Sequence, residues 1–345
     1  MHASVDGASI TTVYDPENAE AVAAELNAEV YPTAEAAIDR DDVDAVIVAS
    51  PNWIHHEAVF AAAAAGKHIF CEKPISLDHA TCQAMVEAAA DAGVHFMAGH
   101  VMWFFDGVRQ AKQWIADGVV GRIRYAHAAR TGWQDAQPTV SWKKRRETSG
   151  GHLYHHIHEL DFIQSILGSP HTATMVGGNY VHQGEGLADE DDLLTITREF
   201  DGAVALLEYG SAFRWPEHYV LLQGTEGAIK LDMSDAGVTL STPDGITTHL
   251  LHRTQEEDDQ RTAIYAAAHG GVMYGNPDQR PPLWLQTIML DELVYFDALI
   301  RGAEPTAEFA ALTDGTAATA SIATADACTL SLRENRKVAL SEVTG

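Results

Sequence analysis

The sequence predicts an α/β chain: a parallel sheet in the first third, then a meandering, mostly antiparallel sheet. Two observations carry this. Residues 46–49 and 68–70 are short apolar, β-rich runs separated by one helix-length segment, as in strands buried on both faces of a parallel sheet. From residue 193 onward apolar and polar residues alternate, with turn signals at Asp201-Gly202, Thr225-Glu226-Gly227 and Asp244-Gly245.

The elements follow in order. Residues 9–14 read as a strand that ends at Asp15-Pro16, followed by a helix near 16–27 and a short strand near 29–31. Thr33 is the N-cap of a helix over 34–40. Ser50-Pro51-Asn52 breaks the strand at 46–49. A helix over 56–65 stops at Gly66, and the strand at 68–70 delivers Cys71-Glu72-Lys73-Pro74. A helix over 77–92 starts at Ser76 or Asp78, and residues 95–98 form the next buried strand. A helix over 108–116 and a strand over 123–130 open the second part. Strand pairs follow over 193–200 and 203–210, 218–224 and 228–233, and 238–242 and 247–252. Helices over 285–301 and 314–332 and a strand over 337–340 close the chain. In an open parallel sheet ligands bind outside the carboxyl ends of the strands, so Asn52, His55, Glu72 and Lys73 should meet at one edge.

Composition narrows the function. The 345 residues carry 49 acidic and 22 basic side chains, a formal charge of −27, which repels nucleic acid and anionic membranes. No run of about 18 apolar residues is present, and the N-terminus lacks a signal-peptide pattern. Cys71, Cys82 and Cys328 form neither a metal spacing nor a disulfide framework, and a reducing cytoplasm fits.

Ser50-Pro51-Asn52-Trp53-Ile54-His55 and, further on, Ala65-Gly66-Lys67-His68-Ile69-Phe70-Cys71-Glu72-Lys73-Pro74 resemble the Gfo/Idh/MocA family of NAD(P)-dependent oxidoreductases, which act on sugars, polyols and related carbohydrates. The likeness runs from about residue 10 to the C-terminus. It implies a Rossmann doubly wound parallel sheet over 1–98. An α+β substrate and oligomerisation domain, with a large open, mostly antiparallel sheet, follows over 99–345, its last helix packing back on the first domain. It also implies a homodimer or homotetramer formed through the open sheet. Asp15 takes the place of the acidic residue that binds the ribose hydroxyls and favours NAD over NADP. Ser50, Pro51, Asn52, His55, Glu72 and Lys73 complete the implied cofactor-binding set.

A Rossmann domain opens with a strand and a glycine-rich turn that holds the pyrophosphate. Gly7 is the only glycine in the first forty residues, and no strand with such a turn precedes residue 9. Either the chain starts at an internal methionine, or the protein lacks this loop and binds the dinucleotide weakly or not at all. Both readings leave a sheet edge unpaired.

The second constellation is Gly150-Gly151-His152-Leu153-Tyr154-His155-His156-Ile157-His158-Glu159-Leu160-Asp161. The family has a glycine pair and then Asp-Xaa-Xaa-Xaa-His-Xaa-Xaa-Asp at a helix start. His158 and Asp161 match the last two, and Tyr154 stands where the first Asp would be. Trp103 likewise occupies the usual position of an arginine. Oxidising a hydroxyl requires loss of a hydride to the cofactor and of a proton to a base, and histidine titrates in the right range. The resemblance makes His158 the general base and Lys73 the partner of the reacting oxygen, with Tyr154 donating a hydrogen bond in place of the carboxylate. Trp133 and Trp142 can stack on a sugar face, and His155 and Asp161 join them as substrate-binding candidates. His152 and His156, four apart on a helix, would share a face and could bind a divalent metal. Glu185, Asp189, Glu190, His182 and His218 are possible distant contributors. Lys143, Lys144, Arg145 and Arg146 form a basic turn that could attract an anionic substrate.

Three functions remain. The first is an NAD-dependent dehydrogenase of a sugar, polyol or glycoside hydroxyl. The second is a redox-assisted glycosidase: transient C3 oxidation, elimination, hydration and re-reduction, with or without a metal. The third is a non-enzymatic sugar-binding subunit.

Overall fold

The computed structural model describes residues 5–136, 138–184, 186–187, 189–268 and 280–345. Two compact units emerge. One is Met1–His100 with Leu290–Ile322, and the other is Val101–Met289 with Ala323–Gly345. The first unit thus takes in a late segment that a boundary at 98 would leave to the second.

In the first unit the chain runs β1 (Thr12–Val13), α1 (Ala19–Leu26), β2 (Glu29–Val30), α2 (Ala34–Ile38), β3 (Ala45–Val48), α3 (His55–Ala64), β4 (His68–Glu72), α4 (His79–Asp91) and β5 (Phe96–Gly99). Local chemistry sets the boundaries. Thr33 accepts the Ala36 N–H at 3.1 Å and Asp78 accepts the Thr81 N–H at 2.8 Å, each satisfying an orphan donor at a helix start. All strand pairs are parallel, but they form two separate sheets, β1-β2 and β3-β4-β5. The doubly wound order places its first strand between the counterparts of β1 and β3. Ile47, on β3, is 43% exposed, unlike a residue of a central strand.

The second unit begins with α5 (Asp106–Ala116) and β6 (Ile123–Trp133), followed by α6 (Arg146–Ser149), α7 (His152–His155) and α8 (His158–Leu167). Strands β7 (Thr172–Gly178), β8 (Leu193–Phe200), β9 (Ala203–Gly210), β10 (Ala212–Gly224), β11 (Ala228–Asp232), β12 (Gly237–Thr242) and β13 (Gly245–His249) come next. Helices α9 (Gln255–Ala268), α10 (Leu283–Ile300), α11 (Ala310–Thr313) and α12 (Thr316–Glu334) precede β14 (Val338–Ala339) and α13 (Ser341–Thr344). By residue number α11, most of α10 and the start of α12 belong to the first unit. One nine-stranded sheet has the order β13-β12-β11-β10-β6-β9-β8-β7-β14, antiparallel throughout except for β6 beside β9. Its strands alternate cleanly. Leu194, Ile196, Ala205, Leu207, Tyr209, Val220 and Leu222 are buried, while Thr195, Leu206, Val204 and Leu221 face the more open side.

Candidate functional site

The first unit presents its polar residues at the carboxyl ends of β3 and β4. His55, at the start of α3, is 1% exposed, and its Nε2 lies 2.8 Å from the Ser50 carbonyl. Burial lowers its pKa, and the Lys73 charge adds to the effect, so the ring is neutral. It ties the turn after β3 to the turn after β4. Ser50, His55 and Lys73 are therefore brought together at the edge where Asn52, His55, Glu72 and Lys73 are expected to meet. Glu72 accepts the Lys73 backbone N–H at 3.3 Å. Glu292 of α10 is buried. Burial first, then the Glu72 charge, push its carboxyl well above the usual range, so it is held as a neutral acid.

These residues fit a dinucleotide. Ser50 Oγ is buried without a hydrogen-bond partner among the described residues, at the strand end where such ligands bind. Asn52 is buried beside it in the sequence. Asp15 lies two residues beyond β1, and its Oδ1 accepts the N–H groups of Glu17 at 2.8 Å and Asn18 at 2.7 Å. Those two bonds fix the carboxylate through Oδ1.

In the second unit the glycine pair does conformational work. Gly150 (φ 78°) closes α6 and Gly151 (φ 84°) opens α7, both in the left-handed region that side chains rarely adopt. The histidine segment is not one helix, as the i, i+4 reading assumed. It breaks at His156 (φ −110°, ψ 41°), and α8 starts afresh at His158. His152 and His156 nevertheless pack at a tilt of 56°, with ring centroids 4.4 Å apart, and His155 lies 4.7 Å from His156. Burial pushes both His152 and His156 down, so these rings pack as neutral aromatics. No group of three His, Cys, Asp or Glu side chains among the described residues could hold a metal ion.

His158 is half-buried in the first turn of α8, next to buried Glu159. Glu159 accepts from His218 Nε2 at 2.7 Å, Tyr209 Oη at 3.1 Å and Arg130 at 3.3 Å. Burial would raise its carboxyl, but the Arg130 charge and the His218 bond outweigh that and hold it far below the usual range. Burial lowers His218 to about 4. The neutral tautomer explains both of its contacts: Nε2–H donates to Glu159, and Nδ1 accepts from Tyr265 Oη at 3.0 Å. Glu159 is thus a permanent buried anion directly after His158.

Tyr154 sits differently from the expectation. It is buried, and its hydroxyl donates to Asp326 of α12. The phenol has one hydrogen to give, so it cannot also donate to a substrate. Burial and the Asp326 charge push it well above its ordinary pKa. Position 154 therefore brings a half-buried carboxylate, Asp326, against its hydroxyl. Asp161 is also buried, and Trp103 Nε1 donates to it at 2.5 Å. The indole at the family's arginine position is thus a donor to the carboxylate at the family's aspartate position, with Lys112 lying 3.3 Å over its ring.

Trp133 ends β6. Arg214 lies 3.2 Å from its ring centroid, and the His182 ring is 5.0 Å away. Trp142 lies in the basic turn, with Lys143 5.7 Å from its ring. Of the distant contributors, Glu190 pairs with Lys144 at 3.0 Å and lies 3.9 Å from His152. Glu185 lies outside the described residues. Sequence reasoning missed Arg130, Asp326 and Glu292. Glu292 and Asp326 sit in largely apolar helices with no motif around them, so no spacing signal marks either.

Two family profiles match the chain. One is described as the oxidoreductase family, NAD-binding Rossmann fold, over residues 1–100; the other as the oxidoreductase family, C-terminal alpha/beta domain, over residues 112–340. A 2,7-anhydro-N-acetylneuraminate hydratase of Mediterraneibacter gnavus is 54% identical over 99% of this chain and 92% of its own length. A protein of the same name from Escherichia coli is 49% identical over 98% of this chain and 92% of its own length. Among solved structures, levoglucosan dehydrogenase in complex with NADH and levoglucosan superposes with a TM-score of 0.77. It is 22% identical over 96% of this chain and 90% of the other, a likeness of fold.

Proposed function

Since the chain belongs to the Gfo/Idh/MocA oxidoreductases, with an NAD-binding Rossmann domain and the family's C-terminal alpha/beta domain, we propose that it hydrates an intramolecular anhydro form of a nine-carbon sugar acid such as 2,7-anhydro-N-acetylneuraminate. The observation that carries this reading is the 54% identity, along almost the whole chain, with a hydratase of that substrate. It favours the redox-assisted route over simple dehydrogenation.

The substrate's chemistry dictates where the oxidation falls. The bond to be broken joins C2, the anomeric carbon, to O7. Elimination needs an acidic proton on C3, and a carbonyl at C4 provides it. This is the relation of C3 oxidation to C1 cleavage in a hexose, moved up one carbon. Asp15, Ser50, Asn52 and Lys73 would hold NAD, which would supply a reversible hydride acceptor for C4 and leave no net redox change. His158 takes the C4 hydroxyl proton as the hydride leaves and gives it back on re-reduction. Lys73 bonds the C4 oxygen and stabilises negative charge there, both as alkoxide and as enolate when the C3 proton is lost. Departure of O7 leaves a C2–C3 double bond conjugated with the carbonyl. Water adds at C2, C3 regains a proton, and the sum is addition of one water. Tyr154 acts by holding Asp326, and Trp103 by holding Asp161.

In solution we infer a homodimer or homotetramer formed through the open face of the nine-stranded sheet, which carries Tyr125, His127, Val204 and Leu206. A reducing cytoplasm suits three free, buried cysteines, and no described helix is long and apolar enough to cross a membrane.

The test is incubation with the anhydro sugar acid and substoichiometric NAD. Release of the free sugar acid in many-fold excess over NAD, with no lasting rise in absorbance of reduced cofactor, is the expected result. Reduced cofactor formed one-for-one with consumed substrate would identify a simple dehydrogenase instead.

A further inference from the structure

Four of the 22 basic side chains stand in one run, Lys143-Lys144-Arg145-Arg146, in a chain of formal charge −27. The fold uses them in different ways. Lys144 ion-pairs with buried Glu190 at 3.0 Å. Arg146 ion-pairs with Asp191 at 2.6 Å, and its backbone N–H donates to Asp189 at 2.8 Å. Lys143 lies over Trp142. Arg145, between the two anchored residues, is exposed, and its guanidinium makes no hydrogen bond or ion pair among the described residues.

Arg145 lines a cavity of about 420 Å³ in the second unit, together with Asn179, His182, Gln183 and Asp189. That volume lies within the roughly 300–1,000 Å³ of small-molecule sites. His182 is 5% exposed, and its Nδ1 is 3.3 Å from Asp192. Asp192 is fixed in turn by the backbone N–H groups of Tyr180 at 2.9 Å and of Val181 and His182 at 2.7 Å. The ring is therefore oriented from behind, and its Nε2 is buried without a hydrogen-bond partner among the described residues.

We propose that this cavity recognises the carboxylate of a sugar-acid substrate. Arg145 binds the carboxylate and His182 Nε2 bonds an adjacent oxygen, a specificity device that rests on the functional reading above. The planar guanidinium matches a carboxylate in two parallel bonds, which a lysine cannot do. Asp189, already accepting the Arg146 N–H, suits a substrate hydroxyl. The overall field of the protein opposes an anion, and this basic turn offsets it locally. The two flanking ion pairs hold the turn so that the residue between them keeps its charge for a ligand.

Arg145→Gln is the informative variant, because the side chain supports no other contact. Calorimetric titration of the NAD-loaded protein with N-acetylneuraminate and with its methyl ester reads the site without turnover. The wild type should bind the acid about tenfold or more tightly than the ester. Arg145→Gln should abolish that preference, and Arg145→Lys should restore part of it. In turnover, the loss should fall on KM more than on kcat. A wild type with no preference for the acid, or an Arg145→Gln variant that keeps the preference, would overturn the proposal. Turnover of the anhydro acid by the wild type reads the functional proposal separately. A protein that prefers the free acid but releases no product keeps the carboxylate site and loses the hydratase reading.

Discussion

Glu159 follows His158 in the chain, and Arg130, His218 and Tyr209 keep it charged in a buried setting. This fixed anion is the immediate chain neighbour of the residue the functional proposal makes the proton acceptor. Lys73 is placed by a different logic, at the end of a strand buried on both faces and against neutral His55. Under the proposed mechanism, Lys73→Met removes the cation at the reacting oxygen, and His158→Ala removes the base. Each should lower kcat by about a hundredfold or more, with Tm little changed, in steady-state assays paired with calorimetry. A near-wild-type rate in either would remove that residue from the mechanism. At this scale the motif residues were legible because strand ends and the glycine pair leave local signatures. Asp326 was not, since its partner Tyr154 is 172 residues away and no spacing rule spans that distance.

At the level of elements, most of the fold could be read from periodicity. The strand–helix–strand run to Lys73 and the hairpin at Asp201-Gly202 both lie where pattern places them. The short helices α6, α11 and α13 escaped, and so did two longer elements. Strand β7 holds two glycines and a polar start, and α9 opens on Gln255-Glu256-Glu257-Asp258-Asp259, which reads as a solvated charge run. The histidine segment misled because i, i+4 spacing presumes a continuous helix, and His156 interrupts it. Helix packing yields a sharper test. Gly107, in the first turn of α5, donates its N–H to the Leu251 carbonyl at 3.0 Å. A Cβ there would meet the Leu250 carbonyl oxygen at 2.8 Å and Leu251 Cα at 2.9 Å. Gly107→Ala should therefore destabilise the second unit by about 1–3 kcal/mol in denaturant unfolding, despite alanine's better helix propensity. An unchanged midpoint would mean that α5 can shift at little cost.

For the molecule as a whole, buried neutral histidines set the response to acid. His55, His152, His156, His218 and His252 are all depressed by burial, His218 to about 4 and His252 to about 3. In the unfolded chain they titrate near 6.5. Between those limits the unfolded state binds more protons, so stability rises with pH. It should be full above about pH 6.5 and fall steadily as the pH drops toward 4. Tm measured across that range should show the decline, and His218→Asn should flatten part of it. A flat profile between pH 4 and 6.5 would mean that these rings are charged in the fold.

The central claim is a transient carbonyl next to the carbon that carries the labile proton. The most direct measurement runs the reaction on the anhydro sugar acid in D₂O and reads the product by NMR. Deuterium at C3 of the released sugar acid, with the C4 hydrogen retained from substrate and no lasting reduced cofactor, is the predicted result. Product with both C3 hydrogens unexchanged would contradict it, because direct hydrolysis at C2 never touches C3.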